Sequence, residues 1–399
     1  MHHGMRPLTA ALALLLALVA VAVAQAAVLR APAKVRASAA SATSIVVRWK
    51  DRARGEIRTE VGLRRRGGRE RRGRLSAGAT RWSRAGLRPS TRYTVRVRAC
   101  ARKRCGAWSV RVTVTTRAAA ASPRLAGCPV FPSDNPWNRD VSALPADPRS
   151  AAYVRSIDTG GNRFLHADFG GDGAYGIPFS VVPGDQPKVP ITFTAYGGES
   201  DPGPYPIPPS ARVEGGSDRH LLVLQRGACR LYELYGAARR GAGWAAGSGA
   251  AFDLTSNRVR PKGWTSADAA GLPILPGLAR YDEVAAGRIA HALRFTVPRT
   301  QRGFIFPARH LASDADDPAL PPMGLRVRLK GSYDVAGFRG QARVILAALK
   351  RYGMIVADNG AGWFVTGAAD RRWDDEDLDQ LKRVPGTAFE AVKTGPIER

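Results

Sequence analysis

The chain has 399 residues, length for two or three compact units, and 44% hydrophobic against 24% charged residues excludes a mainly disordered protein. Its net charge of +28 comes from 61 Lys plus Arg against 33 Asp plus Glu, and 52 of those cations are arginine. The excess is concentrated: residues 1–118 hold 27 basic and 4 acidic side chains, whereas the remainder carries 34 against 29.

Leu8 to Ala24 is a mainly apolar run without a charge after Arg6, and Ala24-Gln25-Ala26 puts small residues where a signal peptidase cleaves. Residues 1–26 are therefore expected to be a secretory signal peptide. No second apolar segment approaches that length, so the mature chain is expected to lack a membrane span and to lie outside the cytoplasmic membrane, secreted or at the cell surface. Four cysteines, an even number, suit an oxidising compartment. Cys100 and Cys105, five apart on a strand–turn–strand pattern, are expected to pair, which leaves Cys128 for Cys229. No CxxC pair or nearby His completes a tetrahedral metal set, and neither a metal nor a cofactor is expected.

Short alternating segments then recur at sandwich spacing: Lys34 to Ser38, Ser44 to Lys50, Ile57 to Leu63, Thr91 to Cys100 and Trp108 to Thr115. Ile45, Val47 and Trp49 share one strand face; Tyr93, Val95 and Val97 share another. Trp49 late in the second strand, followed by Leu87-Arg88-Pro89-Ser90-Thr91-Arg92-Tyr93, resembles a fibronectin type III domain, with Tyr93 at its tyrosine corner. The resemblance covers residues 30–117 and implies a β-sandwich without chemistry of its own. In secreted bacterial proteins such modules resemble spacers beside polysaccharide-degrading domains. Arg64 to Arg74, "RRRGGRERRGR", departs from that pattern and is expected to be a solvated loop that could attract anionic polymers. No aromatic residue interleaves its charges, so no specific nucleic-acid partner is expected.

Residues 118–127 carry no apolar period and read as a linker, and residues 128–392 form the second unit. Its first 90 residues are dense in Pro and Gly, which excludes long helices there. Arg219 to Gln225 and Cys229 to Tyr235 flank Arg226-Gly227-Ala228 as a hairpin; Pro190 to Ala195, Arg288 to Val297 and Leu325 to Leu329 read as further strands. Phe338 to Tyr352 is a helix stopped by Gly353, followed by a hairpin, Met354 to Ala357 with Trp363 to Val365, and a short helix at Leu378 and Leu381. The fold class is mainly β, the sandwich being joined to a larger β-rich α+β domain.

The second unit has no P-loop, HExxH, EF-hand loop or GxSxG, and its cysteines are spent in disulfides. What remains is a set of carboxylates, histidines and aromatics. Glu233 sits on an apolar strand face, where burial would raise its pKa towards that of a general acid, and His220 is its possible partner across the hairpin. Asp253 ends a strand. Asp268 follows Thr265-Ser266-Ala267 as a capping box opening a short helix closed by Gly271. Asp282 and Glu283 open another short helix after Tyr281; His291 lies on an apolar strand face and His310 in a loop. Trp244, Trp264 and Tyr281 fall beside turns, where sugar rings stack. The long loop Asn257 to Arg280 is expected to wall a cleft.

Two carboxylates suffice for glycoside hydrolysis, so the leading expectation is an enzyme acting on polysaccharide, of the glycosidase type, with cell-wall or other glycan as partner. The rival is a non-catalytic glycan-binding or interaction protein of the cell envelope. A third reading is a polysaccharide lyase, in which Tyr281, His291 or His310 abstracts a proton while Arg294 or Arg309 neutralises a uronate.

Overall fold

The computed structural model describes residues 28–118 and 122–399. The signal peptide expected at residues 1–26 lies outside the described residues, as does the middle of the expected linker, 119–121. The chain divides into two compact units.

The N-terminal unit contains β1 (Ala33–Ala39), β2 (Ile45–Lys50), β3 (Arg58–Arg65), β4 (Glu70–Ser76), β5 (Arg81–Arg84), β6 (Arg92–Cys100) and β7 (Val112–Thr115). They form a three-stranded sheet in the order β1-β2-β5 and a four-stranded sheet in the order β4-β3-β6-β7. The alternation in β2 and β6 drives this arrangement: Ile45, Val47, Trp49, Tyr93, Val95 and Val97 are all buried, and Val61 and Leu63 of β3 join them. Cys100 and Cys105 are bonded, with Cα atoms 4.0 Å apart. The expected loop at Arg64 to Arg74 is instead the β3–β4 hairpin, turning at Gly67 with φ +71°. Arg64 faces Glu70, Gly62 faces Arg72 and Glu60 faces Arg74 across the ladder. A segment this poor in apolar residues shows no strand periodicity by itself. It is held by the ladder of β3, and as an edge strand it tolerates charge on its outward face.

The C-terminal unit begins with a two-residue ribbon, β8 (Arg124–Leu125) with β9 (Cys128–Pro129), and α1 (Ser150–Asp158). There follow β10 (His166–Asp168), β11 (Phe179–Val182), β12 (Ile191–Phe193), β13 (Leu221–Gln225), β14 (Arg230–Tyr235), β15 (Ala238–Arg240), β16 (Gly243–Ala246) and β17 (Ser248–Asp253). After the long loop come α2 (Tyr281–Ala285), β18 (Leu293–Val297), β19 (Arg326–Leu329), α3 (Gly340–Arg351), β20 (Met354–Asn359), β21 (Phe364–Thr366), α4 (Asp375–Asp379) and β22 (Phe389–Ala391). Three open sheets result, in the orders β11-β13-β14-β17, β12-β16-β15 and β10-β21-β18-β20-β19-β22. Cys128 and Cys229 are bonded across 101 residues.

The expected hairpin β13–β14 is present, with Leu222 opposite Glu233. The expected helix is α3, which buries Ala342, Ile345, Leu346, Ala348 and Leu349 and ends where Gly353 takes φ +66°. The hairpin expected after it is corrected: β18 inserts between β20 and β21, parallel to the first and antiparallel to the second. A sequence-local turn at Asn359-Gly360 cannot reveal a strand that arrives from sixty residues earlier. Arg288 to Val297 is a strand only from Leu293. No helix follows Thr265: Ser266 Oγ accepts from the Asp268 backbone N–H at 2.9 Å and closes a turn that Gly271 continues at φ +68°.

Candidate functional site

The loop Asn257 to Arg280 is the hub of the C-terminal unit, and its backbone is pinned by side chains from several elements. Arg260 donates to the Thr265 carbonyl and pairs with Asp201. His220 Nε2 donates to the Ala267 carbonyl at 3.0 Å, and Ser248 Oγ donates to that of Ser266 at 2.6 Å. His310 Nδ1 bonds the Ala269 carbonyl at 2.9 Å. Glu233 accepts from the backbone N–H groups of Ile274 and Leu275 at 2.9–3.0 Å. Glu233 and His220 therefore do share a face of the hairpin, yet each is committed to the loop rather than to the other.

At the centre stands Asp268, fully buried, in a bidentate pair with Arg294 at 2.9 and 3.0 Å. Arg294 also donates to Thr366 Oγ1 at 2.7 Å. Thr366 is in register with Asp168 across β21 and β10, so Asp168, Thr366 and Arg294 form a row over three neighbouring strands. Asp358 joins from β20 through a β-bulge. The register runs Phe295 to Val356 and then Thr296 to Asp358, so Ala357 is the extra residue. Past it Asp358 falls into step with Thr296, on the face of the sheet that carries Arg294. The bulge also frees the Ala357 carbonyl to accept from Ala270 N–H at 3.0 Å, which ties the loop to the strand that carries Asp358.

The electrostatics follow from this packing. Burial, reinforced by the nearby negative charge of Asp268, pushes Asp358 up to about 6, and Arg294 offsets only part of the rise. Asp168 keeps solvent access, yet the surrounding protein desolvates it enough to raise its pKa, with Glu214 and Asp218 adding to the rise and Arg294 opposing it. Glu214 bonds His220 Nδ1; this contact outweighs burial on both partners, lowering the carboxylate and raising the imidazole. With both ring nitrogens engaged, His220 is a held imidazolium rather than a base. Burial raises Glu233 to about 7 despite its backbone hydrogen bonds. The result is a cluster of mainly acidic groups, Asp168, Glu214, Asp218 and Asp358, around one fixed ion pair.

The other residues singled out from sequence lie elsewhere. Asp253 accepts from the Thr255 hydroxyl and backbone N–H, a turn bond that lowers its pKa. Asp282 is exposed and pairs with Arg372 at 2.9 Å. Glu283 contacts Arg280 at 2.7 Å and His291 at 3.0 Å; these charges overcome burial and hold it near pKa about 2. His291 is fully buried, its second nitrogen bonded to the Ala292 carbonyl, so the triad is a structural ion cluster. Trp244 is a core residue under Arg239, Trp264 packs against Arg260, and Tyr281 lies edge-on to Trp373 beneath Arg372. None of the three is an open sugar platform. Among the described residues, the one grouping of acidic, His and Cys donors at metal-ligand spacing is Glu60 with Cys100 and Cys105, and those sulfurs are in a disulfide.

Residues 30–115 match the family model described as fibronectin type III domain. The N-terminal unit is a fibronectin type III domain. It is similar to chicken CNTN1 FN1-FN3 domains (21% identity, covering 23% of this chain and 31% of that one, TM-score 0.22) and to the fn3 domain of human contactin 1 (21%, 25% and 88%, TM-score 0.24). The FN5 domain of Drosophila Lar matches at 26% identity over 23% of this chain and 98% of that one, with TM-score 0.21. No curated protein matches the chain. Among the described residues no helix is long and apolar enough to cross a membrane.

The fibronectin type III domain has its own polar face. On the outer side of the four-stranded sheet, Glu70 takes a bidentate bond from Arg96 at 2.9 and 3.0 Å, and Arg98 bonds Glu60 at 2.7 Å. Arg96 and Arg98 both lie over the Trp108 ring, 4.4 and 4.3 Å from its centroid. Gly62 is what lets Glu70 reach across: a Cβ there would sit 3.0 Å from its carboxyl carbon.

Proposed function

We propose that the protein is exported and that its C-terminal unit is a hydrolase of polysaccharide, with Asp358 as general acid and Asp168 as general base. The observation that carries this reading is Asp358, a solvent-accessible carboxyl set opposite Thr296, on the face that carries Arg294, and, at about pKa 6, still partly protonated near neutral pH. A group of that kind can give a proton to a glycosidic oxygen as the bond breaks. Asp168, ionised, would take a proton from the water that attacks the anomeric carbon. The two lie three strands apart on one face of the sheet and two residues out of step, about 16 Å at Cα, so the proposal requires their side chains to lean inward to the roughly 6.5 to 9.5 Å between carboxyl groups that single-displacement hydrolysis uses. Asp268 serves as the fixed negative charge that keeps Asp358 protonated, and Arg294 limits the cost of burying it. Two disulfides and the apolar run at Leu8 to Ala24 support export.

The second reading, a binding or interaction protein without catalysis, is favoured by the fibronectin type III match. A lyase is disfavoured, because Tyr281, His291 and His310 are each engaged in contacts within the protein. The deciding experiment incubates the full chain with a panel of neutral and acidic polysaccharides and follows new reducing ends and their anomeric configuration by NMR. Inverted products support the proposal. Silence from folded, disulfide-bonded protein overturns it in favour of binding, and unsaturated products overturn it in favour of elimination.

A further inference from the structure

We infer that the outer face of the four-stranded sheet in the fibronectin type III domain is a docking surface for a linear anionic polysaccharide, independent of whatever the C-terminal unit does. A concavity of about 690 Å³ opens on this face, between the β3–β4 turn and strands β6 and β7. Seven arginines and a single acid, Glu70, line it. Arg96 satisfies Glu70, holding the carboxylate below its usual range, with Arg72 and Arg111 contributing. The acid is thus spent within the protein and does not neutralise the rest. Arg65, Arg66, Arg69 and Arg92 have no ion-pair or hydrogen-bonding side-chain partner among the described residues.

The placement is regular because the scaffold is. Outward positions on β6 alternate as Arg92, Thr94, Arg96 and Arg98, while Tyr93, Val95 and Val97 fill the core. Neighbouring strands add Arg64 opposite Thr94 and Arg72 on the far side of Gly62 from Arg96, so cations recur at about 10 Å across the strands and about 7 to 14 Å along them. A lattice of guanidiniums on fixed strand positions fits repeated carboxylates or sulfates along an extended chain, each able to accept a forked pair of hydrogen bonds. A positive potential of this density also raises the rate of encounter with a polyanion.

The same geometry argues against nucleic acid. Single-stranded nucleic acids need open aromatic faces for their bases, and the aromatic ring on this sheet, Trp108, already has two guanidiniums over it. Threonines rather than rings, Thr94 and Thr113, fill the floor between the cations. Hydroxyls can hydrogen-bond to sugars or to their acidic groups but give a base nothing to stack on.

The test uses the full chain and measures binding to polygalacturonate, dextran sulfate, neutral dextran, an oligo-dT strand and phosphatidylserine vesicles across a salt series. Expected are binding to the two acidic polysaccharides, none to dextran, and weakening as salt screens the exposed arginines. Replacing Arg65, Arg66, Arg69 and Arg92 together by Ala is expected to weaken both interactions about tenfold or more, with an unchanged melting transition. A charge-matched control, Arg155, Arg258, Arg299 and Arg343 to Ala on the C-terminal unit, is expected to bind as the parent does. Equal loss in the control would reduce the effect to bulk charge and overturn the proposal. So would tighter binding to oligo-dT or to vesicles than to either acidic polysaccharide at matched charge concentration.

Discussion

Each unit carries arginine–carboxylate pairs on the face of a sheet, and the two faces treat them differently. In the fibronectin type III domain, Arg96 and Glu70 keep 24% and 21% of their side-chain surface, so water continues to solvate the charges. In the C-terminal unit, Arg294 and Asp268 keep 5% and 0%, so the pair must supply for itself what water gave up. A surface pair is cheap and interchangeable, which lets a sheet face accumulate many cations. A buried pair is a commitment that fixes a loop, a strand and the protonation of its neighbour Asp358. The lesson is that counting charges misplaces function: the unit with the excess of +23 and the unit near neutrality each hold an electrostatic site, and burial decides which kind.

The difference can be pressed, starting with the largest effect. The bridge Cys128–Cys229 closes 101 residues and Cys100–Cys105 only five, so in the chain-entropy model the double Ser variant should cost about 4 to 5 kcal/mol in the first case and about 2 in the second. Urea midpoints of the two variants check the ratio. Asp268→Ala strands a buried guanidinium and is expected to destabilise by about 3 to 5 kcal/mol. Asp358→Asn should reduce hydrolysis by about a hundredfold or more with the melting transition retained, since it removes a proton donor from a site that is still hydrated. A variant that hydrolyses as the parent does would remove Asp358 from the mechanism.

Glu233 gives a signed pH effect. Its folded pKa, about 7, lies above the ordinary value of 4.5, so the folded state binds the extra proton between those values. Its stabilising contribution is present below pH 4.5 and is lost as pH rises through 7. Glu233→Gln is expected to remove that decline, as followed by denaturation at pH 4.5, 6 and 7.5. Glu283 runs the other way, its contribution present above pH 4.5 and lost on acidification towards 2. At the small end, Glu70→Ala should cost less than about 1 kcal/mol, as surface pairs do. A cost comparable to that of Asp268→Ala would erase the distinction between the two faces.

Where periodicity is local, the sequence was legible. β2, β6, the β13–β14 hairpin and α3 follow from alternation or a helical stripe, and both disulfides follow from spacing and elimination. The Trp49 and Leu87–Tyr93 pattern identified the sandwich. β4 was hidden because an edge strand facing solvent needs no apolar residues, and β18 between β20 and β21 was hidden because pairing order is not local. The site was half visible. In sequence Asp268 reads as a helix cap and Arg294 as a uronate partner; folded, each is the other's counter-ion. Asp168 and Asp358 were missed, although both stand at strand ends just before Gly-containing turns, Phe169-Gly170-Gly171 and Asn359-Gly360, where functional carboxylates often sit. Glu233 stands out for its apolar surroundings, and those surroundings are real; what sequence does not show is that two backbone amides of a distant loop already occupy it.

The extra residue in β20 divides two tasks between neighbours. Ala357 turns its carbonyl to the Ala270 N–H, while Asp358 keeps step with Thr296 on the face that carries Arg294. Deleting the alanine would let Asp358 follow Val356 directly, opposite Thr296 as before, so the carboxylate would stay on its face and the strand would lose the carbonyl that holds the loop. In related chains, a one-residue gap at this strand would mark a loop released from the sheet rather than a lost carboxylate.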